Sequence, residues 1–199
     1  MVAQSSQPQY MTVDEWRELE RHSDIKHEYI DGQVYAMAGA TLAHVQISAN
    51  AMLALRSALG NRACYTYISD AAARLSATCY TYPDVVVTCD ERDRPSTKLR
   101  EVQAPRVVIE VLSPKSTEEY DRGEKFGYYR ECPTVQEYVL VNTKRQLVEV
   151  FRRSPEGWML QVYGPDDEVE LTSLGVHVPV AALYELTDVP EVQGGIRAE

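Results

Sequence analysis

The chain has 199 residues, of which 44% are hydrophobic and 25% charged, and its formal net charge is −10. No apolar run of about 18 or more residues occurs, which excludes a membrane-spanning helix, and the composition is that of a globular protein. The acidity argues against a polyanionic partner, but it is concentrated towards the two ends of the chain. Residues 1–31 hold three Lys/Arg against seven Asp/Glu and residues 155–199 hold one against nine, whereas residues 32–154 hold sixteen against fourteen.

The N-terminal part of the chain predicts two helices and a hairpin. Residues 1–9 are polar, and we expect them to be disordered. Thr12 is the expected N-cap of a helix over "TVDEWRELERH", with Glu15 completing a capping box. The Asp31-Gly32 pair between two short apolar runs predicts the turn of a β-hairpin. Over Thr41–Leu59 the apolar residues recur at the helical period, which predicts the second helix.

The remainder predicts strands around one further helix. The helix is "STEEYDRGEKFGYYRE", with Ser116 and Glu119 as its capping box and Pro133 as its stop. Residues 190–199 are expected to form a frayed tail. The order of elements predicts a single α/β domain over residues 10–189, built around a mixed sheet. The predicted strands are 63–68, 70–76, 83–89, 106–112, "VQEYVLVN", "QLVEVFRRS" and "GWMLQVYG", and "SLGVHVPVAALYEL" ends the fold.

The cysteines and the N-terminus bear on the compartment. The four cysteines are Cys64, Cys79, Cys89 and Cys132, and none of them has CxxC spacing. The N-terminus lacks the basic start and apolar run of a signal peptide. We therefore expect four reduced thiols and a cytoplasmic protein.

Two apolar, β-branched strands each carry one carboxylate. Asp84 lies in "YPDVVVTCD" and Glu110 in "PRVVIEVLSPKS". Burial of an unpaired carboxylate is costly, so each is expected to be paired or to bind a metal ion. If the strands are neighbours, the carboxylates meet at one end of the sheet, within about 6 Å, and can share one Mg²⁺. The alternative is that each sits at a strand end and bonds a loop amide or an arginine.

The letters around these carboxylates also carry a family resemblance. Pro83-Asp84 followed by Glu110 resembles the PD-(D/E)XK nuclease signature. The blocks "HEYIDGQVYAMAGATLAH", "YPDVVVTCD" and "PRVVIEVLSPKSTEEYDRGEKFGYYRECPTVQEYVLVN" resemble the Uma-type family of bacterial restriction endonucleases over roughly residues 10–185. The resemblance implies a restriction-endonuclease-like mixed sheet flanked by helices, with an N-terminal helix and hairpin. It also implies that Asp84 and Glu110 bind Mg²⁺ or Mn²⁺ and that a lysine assists phosphodiester hydrolysis.

The position of that lysine departs from the signature. Leu112 stands two residues after Glu110, where the signature has lysine. The candidates to replace it are Lys115, in the following loop, and Lys125, in the next helix. The Uma-type pattern has a lysine at the position of Lys125, so we predict that Lys125 is catalytic and that its Nζ lies within about 6 Å of the Glu110 carboxylate. The alternative is an exposed salt bridge with Asp121.

Other polar residues are weaker candidates. Glu28 matches an acidic position of the family pattern and could complete the metal shell, or it could be a surface strand residue. His44 begins the second helix and could be a ligand, a cap or a packing residue. The remaining histidines lack zinc-site spacing, so zinc is not expected. Neither a glycine-rich phosphate loop nor a GxSxG nucleophile motif occurs, and no cofactor besides the metal ion is expected.

Together with the family resemblance, these residues predict a Mg²⁺- or Mn²⁺-dependent endonuclease that acts on DNA as a homodimer. The alternative is a nuclease fold without cleavage that serves as a binding or assembly module; Leu112 and the negative charge favour it. The loop over residues 91–106 is locally basic, so it either contacts a phosphate backbone or is a solvated loop of mixed charge. Its cations are Arg92, Arg94, Lys98, Arg100 and Arg106.

Overall fold

The computed structural model describes residues 10–113 and 118–191. The helical elements are α1 (Val13–His22), α2 (Leu42–Leu59), a 3₁₀ turn (Glu91–Asp93), α3 (Glu118–Tyr120), a π-helical turn (Asp121–Lys125), α4 (Phe126–Glu131) and α5 (Val180–Leu183). The strands are β1 (His27–Ile30), β2 (Gln33–Ala36), β3 (Tyr65–Ile68), β4 (Ala72–Arg74), β5 (Cys79–Thr81), β6 (Val85–Thr88), β7 (Glu101–Val102), β8 (Val107–Val111), β9 (Glu137–Val141), β10 (Val148–Ser154), β11 (Gly157–Tyr163), β12 (Glu168–Leu171) and β13 (Val176–Pro179). Within the described ranges, no helix combines the length and the apolarity that a membrane crossing requires.

The first two helices begin at the residues that the sequence predicts. The Thr12 side chain accepts a hydrogen bond from the Glu15 N–H, and the Glu15 carboxylate accepts one from the Thr12 backbone N–H. Thr41 caps α2 in the same way through the His44 N–H. Gly60 ends α2 with a φ of 54°, a conformation that glycine adopts without steric cost. Local capping interactions therefore determine the residues at which both helices begin and the residue at which α2 ends.

The strands form three sheets instead of the single mixed sheet that we expected. The first sheet has the order β2-β1-β5-β4-β7, the second β11-β10-β9-β8-β6-β3, and β12 pairs with β13 alone. The chain passes from the first sheet to the second at Tyr82-Pro83-Asp84, between β5 and β6. Pro83 lacks the N–H that a continuous ladder would need, so the strand breaks there. Strands β5, β7 and β12 were not predicted.

The central strands of the second sheet, β6, β8 and β9, are buried on both faces and carry the core. One face packs against α2, through Val85, Val107, Ile109 and Val111. The other face presents Val86, Val108 and Leu112 to Tyr129 of α4 and to side chains of the first sheet. Because successive strand residues alternate faces, Glu110 lies on the second face, between Val108 and Leu112. This places a carboxylate in an apolar layer.

The helical segment 118–131 covers that second face. It begins at Glu118 in the described part of the chain, and the predicted cap Ser116 lies outside the described residues. The segment ends at Glu131, ahead of Pro133, as predicted. Residues Asp121–Lys125 form a π-helical turn. Such single turns occur frequently at functional sites, and Lys125 stands at the end of this one.

The expectation of four reduced cysteines is wrong for two of them. Cys64 precedes β3, Cys89 follows β6, and the two are joined by a disulfide. Because Tyr65 pairs with Thr88, the antiparallel register brings the two cysteines opposite each other. Sequence spacing cannot reveal such a cross-strand pair. Cys79 and Cys132 are free and buried.

Candidate active site

The central strands bring the two predicted carboxylates to one position in the sheet. Strands β6 and β8 are antiparallel, and Val85 pairs with Ile109. One further step along the same register places Asp84 opposite Glu110. Residues opposed in this way project from the same face of the sheet. The register brings the two residues to neighbouring positions, and a separation of about 6 Å between their carboxylates, suited to sharing one cation, stays a prediction.

Glu110 is buried and is held by two donors. Its side chain is 5% exposed, and Oε1 lies 2.9 Å from the Lys125 Nζ. The hydroxyl of Tyr129 donates a hydrogen bond to the same oxygen at 2.7 Å. Burial raises the pKa of Glu110 to about 8 against the opposing attraction of Lys125, and the nearby carboxylates act in the same direction as burial. Glu110 therefore has a high affinity for a proton or another cation.

Lys125 is at the centre of the site. Its ammonium contacts three carboxylates: Glu110 at 2.9 Å, Glu28 at 3.1 Å and Asp121 at 3.8 Å. The prediction that Nζ lies near the Glu110 carboxylate is confirmed, and the alternative of an exposed salt bridge is wrong because the side chain is 7% exposed. Burial alone would lower the pKa of Lys125, but Glu110, Glu28 and Asp121 together raise it well above its usual value. The lysine is therefore a fixed positive charge.

Glu28 belongs to the site and not to the surface. It lies in β1 and is buried, so its interpretation as a surface strand residue is wrong. Besides Lys125, it accepts hydrogen bonds from the Tyr82 N–H at 3.3 Å and from the Tyr120 hydroxyl at 3.4 Å. Glu28 thus connects the first sheet to the helical segment 118–131.

His44 contacts Asp84 directly. Its Nε2 lies 2.8 Å from Asp84 Oδ1, and its Nδ1 lies 3.2 Å from Ser113 Oγ. The other carboxylate oxygen of Asp84 accepts a hydrogen bond from the Val111 N–H at 2.7 Å. This donor is an amide of strand β8 and not the loop amide or arginine of the alternative for Asp84. His44 is therefore a side-chain partner of Asp84 as well as a residue of the first turn of α2.

Sequence reasoning missed Tyr129 and Thr81. Tyr129 is fully buried, and its hydroxyl lies 3.0 Å from Thr81 Oγ1 while it donates to Glu110. Residues four apart share one face of a helix, so the spacing of Lys125 and Tyr129 was a usable signal. Thr81 carried no such signal, because its position depends on how the first sheet packs.

The lysine of the PD-(D/E)XK signature is absent, as the sequence indicated. Leu112 is buried in the apolar layer beneath the helical segment 118–131. The other candidate, Lys115, lies outside the described residues. Lys125 is the lysine that the structure places at Glu110.

A family model matches residues 13–181, most of the chain, and it carries the description Uma2, "Putative restriction endonuclease". The chain belongs to the Uma2 family. The resemblance seen in the sequence is thereby confirmed. Two uncharacterized proteins of Synechocystis sp. are similar to this Uma2 chain. The protein slr1290 is 37% identical over 188 residues, covering 92% of this chain and 97% of the relative, and sll1609 is 29% identical over 169 residues, covering 83% and 95%.

A solved structure shares the fold of this Uma2 chain. It is described as a "putative nuclease belonging to DUF820" from Anabaena variabilis, with a TM-score of 0.70 at 20% identity. The match covers 87% of this chain and 97% of that one. The restriction-endonuclease-like α/β fold is confirmed, and the family description supports a nuclease-like function.

Negative charge exceeds positive charge in the Uma2 site. In the described part of the chain, the site has one lysine ammonium, that of Lys125, and four carboxylates: Glu28, Asp84, Glu110 and Asp121. Their oxygens are the ligand type that Mg²⁺ prefers. Among the residues that the structure describes, no three His, Cys, Asp or Glu side chains are grouped as a metal site. Any divalent cation would therefore depend on one or two carboxylates together with water or substrate oxygens.

Proposed function

We propose that the chain is a divalent-metal-dependent endonuclease that hydrolyses phosphodiester bonds in DNA. In this proposal Asp84 and Glu110 bind the metal ion and Lys125 is the catalytic lysine. The observation that carries it is the 2.9 Å contact between a buried lysine and Glu110, on the strand next to Asp84, although the signature position holds Leu112. A lysine from the helical segment thus supplies the charge that the strand lacks.

The donor set fits Mg²⁺ or Mn²⁺. Both ions accept carboxylate oxygens, and one or two protein carboxylates commonly suffice when substrate phosphate and water complete the shell. When bound, such an ion polarises the phosphoryl oxygen and lowers the pKa of its water. The excess of carboxylates over Lys125 is the electrostatic reason for a cation to enter.

Side chains and a backbone amide of the protein hold the proposed catalytic lysine and the two metal-binding carboxylates in place. Lys125 presents a positive charge where negative charge develops on the phosphate oxygens. Glu28 and Asp121 keep the ammonium at Glu110. Tyr129 fixes the orientation of Glu110, and His44 with the Val111 amide fixes that of Asp84. A carboxylate held by such partners loses little entropy when it binds a cation.

A homodimer in the cytoplasm belongs to the proposal. Two-fold symmetry suits the cutting of two antiparallel strands. The edge strand β11 favours it, because its Met159 and Leu160 expose apolar side chains, one on each face of the sheet. Strand β9 gives no support, because it is buried inside the sheet.

The second candidate is a Uma2 protein without cleavage that acts as a binding module. Leu112 at the signature position favours it. The buried contact of Lys125 with Glu110 favours the enzyme, because a binding module has no need to bury three carboxylates around a lysine. The endonuclease and the binding module differ in whether the addition of metal ions leads to cleavage of DNA.

The experiment incubates the purified chain and supercoiled plasmid with Mg²⁺ or Mn²⁺, and in parallel with EDTA. We expect metal-dependent nicked or linear plasmid from the wild-type chain and none from Asp84→Asn. Asp166→Asn is the matched control, because Asp166 is an exposed aspartate remote from the site residues in sequence, and it should keep full activity. Intact plasmid with the wild-type chain and both metals would contradict the proposal.

A further inference from the structure

A wide groove lies on the α1 side of the first sheet. Its volume is about 1000 Å³, and one wall is formed by α1 and the residues that follow it. Another part of its wall is the loop over residues 94–103, and Ile68 and Tyr82 also line the groove. The locally basic loop of the sequence is thus one side of a groove.

The base of this loop is held by a buried carboxylate. Asp93 is 3% exposed. It accepts hydrogen bonds from the Gln103 N–H at 2.6 Å, the Ala104 N–H at 3.0 Å and the Thr88 hydroxyl at 2.8 Å. The residues between Arg94 and Val102 therefore form an arch whose two ends are tied together, and we call residues 94–102 the basic arch.

Three cations of the basic arch have no carboxylate partner. Arg94, Lys98 and Arg100 are exposed, line the groove and form no ion pair with any residue in 10–113 or 118–191. The two other cations of the loop are engaged elsewhere: Arg92 pairs with Asp90 at 2.8 Å, and Arg106 bonds the Ser173 carbonyl at 3.1 Å. In a chain with a net charge of −10, three unpaired cations on one wall indicate an anionic occupant.

Apolar side chains are exposed along the same groove. Ile25, Ile68 and Leu99 are 55%, 42% and 46% exposed and all line it. Nucleobases have apolar faces that stack on hydrophobic side chains or on guanidinium planes. Cations beside apolar contacts match a strand that presents both phosphates and unpaired bases.

The groove also adjoins the candidate active site. The backbone N–H of Tyr82, which lines the groove, donates to Glu28. Ile68 pairs with Val85, the residue after Asp84, and the Ser69 N–H donates to the Asp84 carbonyl at 3.2 Å. The groove therefore lies beside the segment that carries Asp84.

We propose that this groove binds a single-stranded segment of nucleic acid, with its phosphates on Arg94, Lys98 and Arg100. This inference rests on the proposed nuclease function. A volume of about 1000 Å³ accepts a few nucleotides of one strand. A duplex, whose major groove alone is about 12 Å wide, does not enter a cavity of this size.

Binding is measured by fluorescence anisotropy of a labelled oligothymidylate in EDTA, where no cleavage occurs. Three neutralised phosphates give a salt slope of about −2, so affinity falls roughly twentyfold between about 50 and 200 mM salt. The variant Arg94→Glu/Lys98→Glu/Arg100→Glu should lose binding and its salt dependence. The matched control Arg56→Glu/Arg130→Glu/Arg145→Glu carries the same charge change on exposed arginines that do not line the groove and should bind far better.

The outcomes separate this inference from the proposed function. Unchanged oligonucleotide binding in the groove variant, or equal loss in both triple variants, overturns the groove assignment even if wild-type protein cuts plasmid. A blunt hairpin duplex that competes as well as the single strand overturns the single-strand assignment. Selective loss of binding in the groove variant supports the inference even if no metal produces cleavage, in which case only the nuclease proposal fails.

Discussion

The ammonium of Lys125 lies 2.9 Å from the carboxylate of Glu110, and both side chains are almost fully buried. Glu110 comes from a central strand and Lys125 from the helical segment that covers it. Lys125 also contacts Glu28 of β1, so this lysine links three elements of the fold. Because the lysine neutralises part of a buried cluster of three carboxylates, it serves the fold as well as the proposed reaction.

Replacement of Lys125 by methionine tests both roles. Lys125→Met removes the cation and leaves buried carboxylates unpaired, so we expect the free energy of unfolding to fall by about 3–5 kcal/mol. Cleavage by the folded fraction should fall by about 10²–10³-fold, as for loss of one electrostatic donor. Urea unfolding and plasmid cleavage below the transition measure the two effects.

Lys144→Met is the control, because Lys144 is a half-exposed lysine that pairs with Glu118. This variant should lose less than about 1 kcal/mol of unfolding free energy and should keep full cleavage activity. Full activity in Lys125→Met would end its assignment as the catalytic lysine and leave Lys115 as the next candidate.

Tyr129 is expected to position Glu110 without touching substrate. Tyr129→Phe removes the hydroxyl that donates to Glu110, which should cost about 1–3 kcal/mol of stability. Loss of this outer contact should also weaken metal affinity or cleavage by about 10–100-fold. Calorimetric titration with Mn²⁺ separates the effect on metal binding from the effect on cleavage rate.

Tyr184→Phe provides the comparison for Tyr129. Tyr184 is equally buried, and its hydroxyl bonds the carbonyls of Asn142 and Leu147. This variant should lose comparable stability and keep metal affinity. Equal losses of metal affinity in the two variants would reduce Tyr129 to a structural residue.

Features coded by neighbouring residues were predictable from the sequence. The Thr12 capping box, the Asp31-Gly32 turn and the helix ended by Gly60 all appear where predicted. In contrast, the break between the two main sheets and the Cys64–Cys89 pair depend on which strands lie side by side. A single sequence contains no direct signal for that pairing.

The site divides in the same way. Asp84, Glu110 and Lys125 were predicted because the family pattern marks them, although their roles stay predictions. The burial of Glu28 and the hydroxyl of Thr81 could not be predicted, because both come from the first sheet, whose packing against the helical segment 118–131 is a tertiary property. Only Tyr129 had an unused local signal in its helical spacing from Lys125.

Metal binding should depend on Glu110 and not on buried carboxylates in general. Glu110→Gln should abolish the Mn²⁺ binding heat, because an amide oxygen is a weaker, uncharged ligand. Glu137→Gln is the control: Glu137 is fully buried in the adjacent strand β9 and has its own cation, Arg152, at 3.0 Å. It should lose stability and keep the binding heat.

Because Glu137→Gln breaks a buried ion pair, the titrations are run at low temperature on protein shown to be folded by circular dichroism. Glu149→Gln, which loses a partly buried pair with Arg122, is a milder second control. Binding heat that persists in Glu110→Gln would remove Glu110 from the metal ligands.

The disulfide gives a prediction about thiol counts that is independent of the active site. Of the four cysteines, only Cys79 and Cys132 are free, so protein denatured without reductant should show two reactive thiols and reduced protein four. Burial raises the pKa of Cys79 to about 12. Since the thiolate is the reactive form and is absent until the pH nears that value, the folded protein should leave Cys79 unlabelled at about pH 8.

Cys64→Ser breaks the pair and should add Cys89 to the thiols that react without reductant, while lowering stability by about 2–4 kcal/mol. Four reactive thiols in unreduced, denatured wild-type protein would show that Cys64 and Cys89 are not joined.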